Sequence, residues 1–213
     1  MRVFGIKYEV MDTILMRSDK GLLPFIELNG QHLADSQLII MALQKHFNID
    51  AKENLSEEQL GIIRCVDRML EGSFYNANYI FKLLNNSLNF ATVVTEDRNP
   101  KFLKYIVAPV LYYKAKKRGE AEGTAKHSQE ECLSILRNDM KAMDQVLGNK
   151  DFLIGNKPTL ADCTLFGHLA SSYYLPYDMP LKQILDEEFP RIKNHMERMA
   201  SLYFKDHQIG QQS

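Results

Sequence analysis

Apolar residues return every third or fourth position through most of the chain beyond residue 55, the spacing that gathers them on one face of an α-helix. Ile62, Ile63, Val66, Met69 and Leu70 make the first such face. It opens at Ser56-Glu57-Glu58-Gln59, a capping pattern in which a hydroxyl and a carboxamide satisfy each other's backbone donors, and it thins toward Leu84. Leu103, Ile106, Val107, Leu111 and Tyr112 predict a helix starting at Pro100. Pro109 inside it should kink the helix or have its lost hydrogen bond met locally. The end of this helix is expected at the basic run Lys114, Lys116, Lys117 and Arg118, ahead of Gly119. Ser128 to Glu131 form another capping box, followed at helical spacing by Cys132, Leu133, Leu136, Met140, Met143 and Leu147, with Gly148 as the stop. From Thr159 the next helix turns Cys163, Phe166, Leu169, Ala170 and Tyr173 toward a core. Pro176 and Pro180 break the chain, a short helix covers 181–187, and Pro190 opens a last one through Ile192, Met196 and Met199.

The first fifty residues follow a different pattern. Pro24 lacks a backbone donor and holds Leu23 extended, so Leu23 can offer its own N–H and C=O to a bound peptide. Asn29-Gly30 suits a two-residue hairpin turn joining 25–28 to 31–33. Asp35 or Ser36 then caps a helix over 37–47. The start of that helix offers N–H groups and a positive dipole end to a carboxylate, and Asp35 beside it suits an ammonium. Together they fit the end of an α-amino acid. The same residues also suit a strand-edge proline followed by a plain helix cap, and at this level both readings stay open.

Composition narrows the picture. With 213 residues, 45% of them hydrophobic, the chain can bury a core for one large domain or two small ones. A net charge of -1 gives no global reason to expect nucleic acid or a membrane. No apolar run is long enough to span a bilayer and no secretory leader is visible, so the expected address is cytoplasmic, with membrane or mitochondrial association if a further N-terminal segment exists. Cys65, Cys132 and Cys163 are far apart in sequence, read as small buried hydrophobes, and form neither a redox pair nor a metal-binding pattern with the six histidines. Phe74, Tyr75, Tyr79 and Phe81 read as core or interface packing before a substrate pocket. The four cations from Lys114 to Arg118 read as a solvated helix end, the alternative being a contact with anionic membrane.

Two stretches together resemble the glutathione-transferase superfamily: the segment from Gly21 through the helix after Ser36, and the segment around Thr159 and Asp162. The resemblance implies an α+β, mainly α fold: a truncated thioredoxin-like N-terminal domain over 1–47, a linker over 48–55, an all-helical C-terminal domain over 56–207 and a tail over 208–213. It implies a cis Pro24. It also implies a glutathione-binding set of Leu23, Pro24, Asp35 and Ser36, with Thr159 and Asp162 as a structural capping box. Phe25-Ile26-Glu27-Leu28-Asn29-Gly30, Lys126-His127-Ser128 and Phe166-Gly167-His168 resemble the failed axon connections, metaxin and cadmium-responsive branch.

One departure governs the functional expectation. Met1 to Val10 reads as the end of a first helix, a break at Gly5 and the second strand of that family's sheet. The junction that carries the thiol-activating Tyr, Ser or Cys has no counterpart, so no catalytic residue is assigned and Tyr8 inherits no role. The expectation is a non-catalytic transferase-like protein working through a protein partner or a homodimer, with glutathione bound weakly if at all and a family-implied role in axonal development. The alternatives are a glutathione-dependent detoxification enzyme of the cadmium-response type and a metaxin-like mitochondrial import component.

Overall fold

Asn29 and Gly30 both adopt positive φ, 52° and 79°, and so turn the chain sharply enough for a tight hairpin. In the computed structural model, which describes residues 1–11, 17–19, 21, 23–96 and 100–205, this turn joins β1 (Phe25–Leu28) to β2 (Gln31–Ala34) as antiparallel neighbours. Phe25 faces Ala34 and Leu28 faces Gln31. Helix α1 (Ser36–His46) packs on the hairpin and buries Ile39 and Leu43. The chain divides into two units, Met1–Ser56 and Glu57–Ser213.

The start of the chain departs from expectation. Arg2–Phe4 form one 3₁₀ turn, closed by Gly5 at φ 63°, rather than the end of an α-helix. Residues 6–10 form no strand, and among the described residues the sheet has two strands. A strand exists only through its ladder, and among the described residues β1 and β2 pair with each other and with no third strand. The predicted tail over 208–213 lies outside the described residues.

In the second unit the chain stays helical from α2 (Glu57–Met69) through a π-helical turn (Leu70–Phe74), α3 (Tyr75–Tyr79) and a second π turn (Ile80–Leu84). Along this stretch Leu70, Phe74, Ala77, Ile80, Phe81 and Leu83 are all buried. Helix α4 (Ser87–Thr95) follows, without a counterpart in the sequence reading. Then come α5 (Leu103–Glu122), α6 (Gln129–Leu147), α7 (Leu160–Tyr173), α8 (Pro180–Glu187) and α9 (Pro190–Tyr203). The core forms where α6, α7, α8 and α9 meet, around Leu136, Met140, Leu165, Leu169, Leu185 and Met196. Each is fully buried, and each is worth about 1.5–3 kcal/mol of transfer free energy.

Helix α5 differs at both ends from its prediction. It begins at Leu103, after a turn at residues 100–102, and it runs past Gly119 to Gly123, whose φ of 109° closes it. Gly119 is buried because the turn after the helix folds back on it: a Cβ there would lie 2.9 Å from the Ala125 Cβ. The basic run therefore sits a turn before the end, with Lys116 3.9 Å from Glu120. Cys65, expected inside, is exposed, since the buried side of α2 is that of Val66 and Asp67. Among the described residues no helix is long and apolar enough to cross a membrane.

Candidate functional site

The residues singled out near the N-terminus gather at one end of the hairpin. Because Phe25 pairs with Ala34, Pro24 and Asp35 each stand one residue beyond the last pair, on neighbouring strands. The Leu23–Pro24 peptide bond is cis, and Leu23 is 54% exposed. Asp35 is exposed and has φ 77°, uncommon for a residue with a side chain. Its carboxylate Oδ1 accepts from the Gln37 amide at 3.0 Å and the Leu38 amide at 3.2 Å, while its carbonyl accepts from Ile39 at 2.9 Å as the first helical bond.

That geometry narrows what the helix end can bind. Of the three first-turn amides without a helical acceptor, those of Ser36, Gln37 and Leu38, two are taken by Asp35, which among the described residues leaves the Ser36 amide and hydroxyl for an incoming carboxylate. A carboxylate arriving there also meets the Asp35 charge, so a bare acid is disfavoured. A group carrying an ammonium beside its carboxylate meets both needs. Tyr8 is engaged elsewhere: Arg2 Nε donates to its hydroxyl at 2.7 Å.

Helix α7 carries the second predicted set. Asp162 is wholly buried. Its Oδ2 accepts from the Thr159 amide at 2.7 Å and the Thr159 hydroxyl at 2.8 Å, and its Oδ1 accepts from the Leu153 amide at 2.7 Å. His195 Nε2, also wholly buried, lies 2.8 Å from the same Oδ1. Asp162 thus ties the loop before α7 to α9. His195 was missed in the sequence reading; its place between Ile192 and Met199, on the buried side of α9, was the available signal.

A third cluster runs between α7 and the helical stretch from Glu57 to Leu84. The Thr164 hydroxyl donates to Asp67 at 2.9 Å, His168 Nε2 lies 3.4 Å from Glu71, Asn78 donates to Ser172 at 2.8 Å, and Lys82 Nζ donates to the Ser171 carbonyl at 2.6 Å. Burial pushes the Lys82 and His168 pKa values down. Burial also lifts the Tyr177 phenol to about 12. The predicted aromatic cluster splits here. Phe74 and Phe81 are buried, whereas Tyr75 and Tyr79 lie half-exposed beneath the Arg118 guanidinium, 4.9 and 5.3 Å from their ring centres. Arg118 is exposed like the neighbouring lysines but stacks on these rings. These groups are met largely by one another, which suits a polar seam between helices.

Comparison with known proteins fits this architecture. The Glutathione S-transferase N-terminal domain family matches residues 1–89, and the Glutathione S-transferase, C-terminal domain family matches residues 136–199. Failed axon connections from Drosophila melanogaster is 30% identical over 97% of this chain and 52% of its own length, so the chain spans about half of that relative. Isoprene-epoxide--glutathione S-transferase from Rhodococcus sp. (strain AD45) is 22% identical over 94% of the chain and 85% of its own length. A glutathione S-transferase structure from Legionella pneumophila aligns with a TM-score of 0.48 and 15% identity, over 94% of this chain and 85% of that one. With the N-terminal and C-terminal domain families matched in order along it, the chain belongs to the glutathione S-transferase family.

Proposed function

We propose that this chain is a transferase-like protein that holds the γ-glutamyl end of glutathione weakly, does not activate its sulfur, and acts in the cytoplasm through contacts with a protein partner or a second copy. The observation that carries this reading is the hairpin end itself, where Leu23, the cis Pro24, the Asp35 carboxylate and the open Ser36 amide and hydroxyl stand together. Leu23 supplies backbone groups for a cysteinyl unit and Ser36 with Asp35 fits an α-amino acid. The one side-chain hydroxyl among the four, that of Ser36, serves the carboxylate in this reading, which leaves no group for the thiol. The likeness to Failed axon connections supports a role in axonal development.

Calorimetric titration with glutathione tests the binding half: a small heat that disappears in Ser36→Ala, and a glutathione analogue without the α-amino group binding less well than glutathione, are the expected results. Tight binding unaffected by Ser36→Ala would place the ligand elsewhere. A conjugation assay with a chromogenic electrophile tests the other half, and turnover at background is expected. The likeness to Isoprene-epoxide--glutathione S-transferase favours a second reading, a glutathione-dependent transferase, and saturable turnover would establish it.

A further inference from the structure

Helix α5 is apolar on two opposite sides along its first three turns. Leu103, Val107, Ala108 and Leu111 face inward or lie half-buried, as its packing against α4 requires. Phe102, just before the helix, and Tyr105, Ile106, Val110, Tyr112 and Tyr113 on it are between 43% and 66% exposed. A helix that is hydrophobic all round belongs in an environment that covers it on every side, and among the described residues only one side is covered. At about 150–250 Å² for each aromatic side chain, this outward patch reaches several hundred Å², the size at which an exposed apolar surface marks an interaction site.

The charges around the patch say what covers it. Lys101 and Lys104 stand at its N-terminal edge, Lys104 5.4 Å over the Tyr105 ring, and Lys114, Lys116 and Lys117 stand at its C-terminal edge. Arg118 is stacked on Tyr75 and Tyr79, and of the acids of the helix Glu120 pairs with Lys116 at 3.9 Å while Glu122 lies beyond the lysines, so the basic charge of this edge still exceeds the acidic. A second copy packed antiparallel on this face would set the lysines of one edge against those of the other. An anionic surface would attract both edges at once, and tyrosines are the side chains that settle where apolar and wet layers meet. We propose that the outward face of α5 docks this protein on an anionic lipid surface, its aromatic residues entering the headgroup layer and its five flanking lysines pairing with lipid phosphates and carboxylates. This inference is independent of the glutathione site.

The test is co-sedimentation of the whole chain with phosphatidylcholine vesicles, with and without a quarter of phosphatidylserine. Binding is expected only to the anionic vesicles and should weaken as salt is raised. Replacing Lys114, Lys116 and Lys117 with Gln should lower the partition coefficient about fivefold for each cation removed. An Ile106→Ser/Tyr113→Ser variant with unchanged helix content should lose binding even at low salt. Failure of the unaltered chain to bind anionic vesicles overturns the proposal, as does equal binding to neutral ones or binding that survives both sets of changes. A stable dimer that Ile106→Ser/Tyr113→Ser dissociates, in a chain that ignores vesicles, would also overturn it and assign the face to a second copy.

Discussion

Two acids stand at the starts of helices in this protein, Asp35 before α1 and Asp162 in the first turn of α7, and they have opposite fates. Asp35 is exposed, holds two amides through one oxygen and leaves the Ser36 amide and hydroxyl open. Asp162 is wholly buried, and its two oxygens are shared by Leu153, Thr159 and His195. The same chemistry, a carboxylate at a positive helix end, makes an exposed cap at the proposed ligand site in the first unit and an internal tie in the second. What separates them is whether the carboxylate leaves backbone donors unmet on the outside.

The comparison breaks most visibly at the tie. Asp162→Ala strands several buried donors at once and should destabilise the fold by about 3–5 kcal/mol, read as a fall in the urea midpoint. His195→Leu keeps the bulk and removes one partner, and should cost about 1–3 kcal/mol. If Asp162→Ala unfolded no more easily than an exposed substitution, the idea of an internal tie would be wrong. Gly119→Val probes the sealed character of the same unit. Its Cβ would fall 2.9 Å from that of Ala125, well inside van der Waals contact, and about 1–3 kcal/mol of destabilisation should follow. Stability equal to the parent would put the end of α5 at Gly119 after all.

Asp35→Gly sharpens the comparison from the other side. Glycine accepts the φ of 77° without strain and is itself a fair helix cap, so stability should change by only a few tenths of a kcal/mol, read from the denaturant midpoint. Glutathione binding should nevertheless be lost, because the partner for the ligand's ammonium has gone. A large loss of stability would make Asp35 another scaffold acid rather than part of a site.

Legibility in the sequence tracked how local the determining interaction is. The Asn29-Gly30 hairpin and the Ser128 box, where Ser128 Oγ accepts from the Glu131 amide at 3.1 Å, depend on neighbours two to four residues away and could be read directly. The strand expected at residues 6–10 depended on a partner elsewhere in the chain, and it did not form. Gly119 looked like a helix stop because glycine usually is one, yet here it makes room for Ala125 and the left-handed stop falls at Gly123. Asp67, Asn78 and His195 gave no local sign, since their partners lie 97, 94 and 33 residues away. At the candidate site the residue types were legible. The division of labour between Asp35, which caps, and Ser36, which stays open, was visible only once the helix end was built.

The smallest expected effect concerns pH and the seam between α7 and the stretch from Glu57 to Leu84. His168 lies against the Phe74 and Tyr75 rings, 3.4 Å from Glu71, with Lys82 and Asp67 also acting on it. Burial holds its pKa below the ordinary histidine value, with Glu71 working in the opposite direction. The folded state therefore binds a proton less readily than the unfolded chain. The contribution of His168 to stability is full above the unfolded value of about 6.5 and is lost as pH falls from there toward the folded value. His168→Gln, which keeps a hydrogen-bonding group beside Glu71, should flatten this part of the denaturant midpoint measured against pH. Glu71→Gln should steepen it, because it removes the charge that favours the protonated ring. A slope of the opposite sign in the parent protein would mean that Glu71 outweighs burial, and the seam would then be an ion pair that strengthens in acid rather than one that loosens.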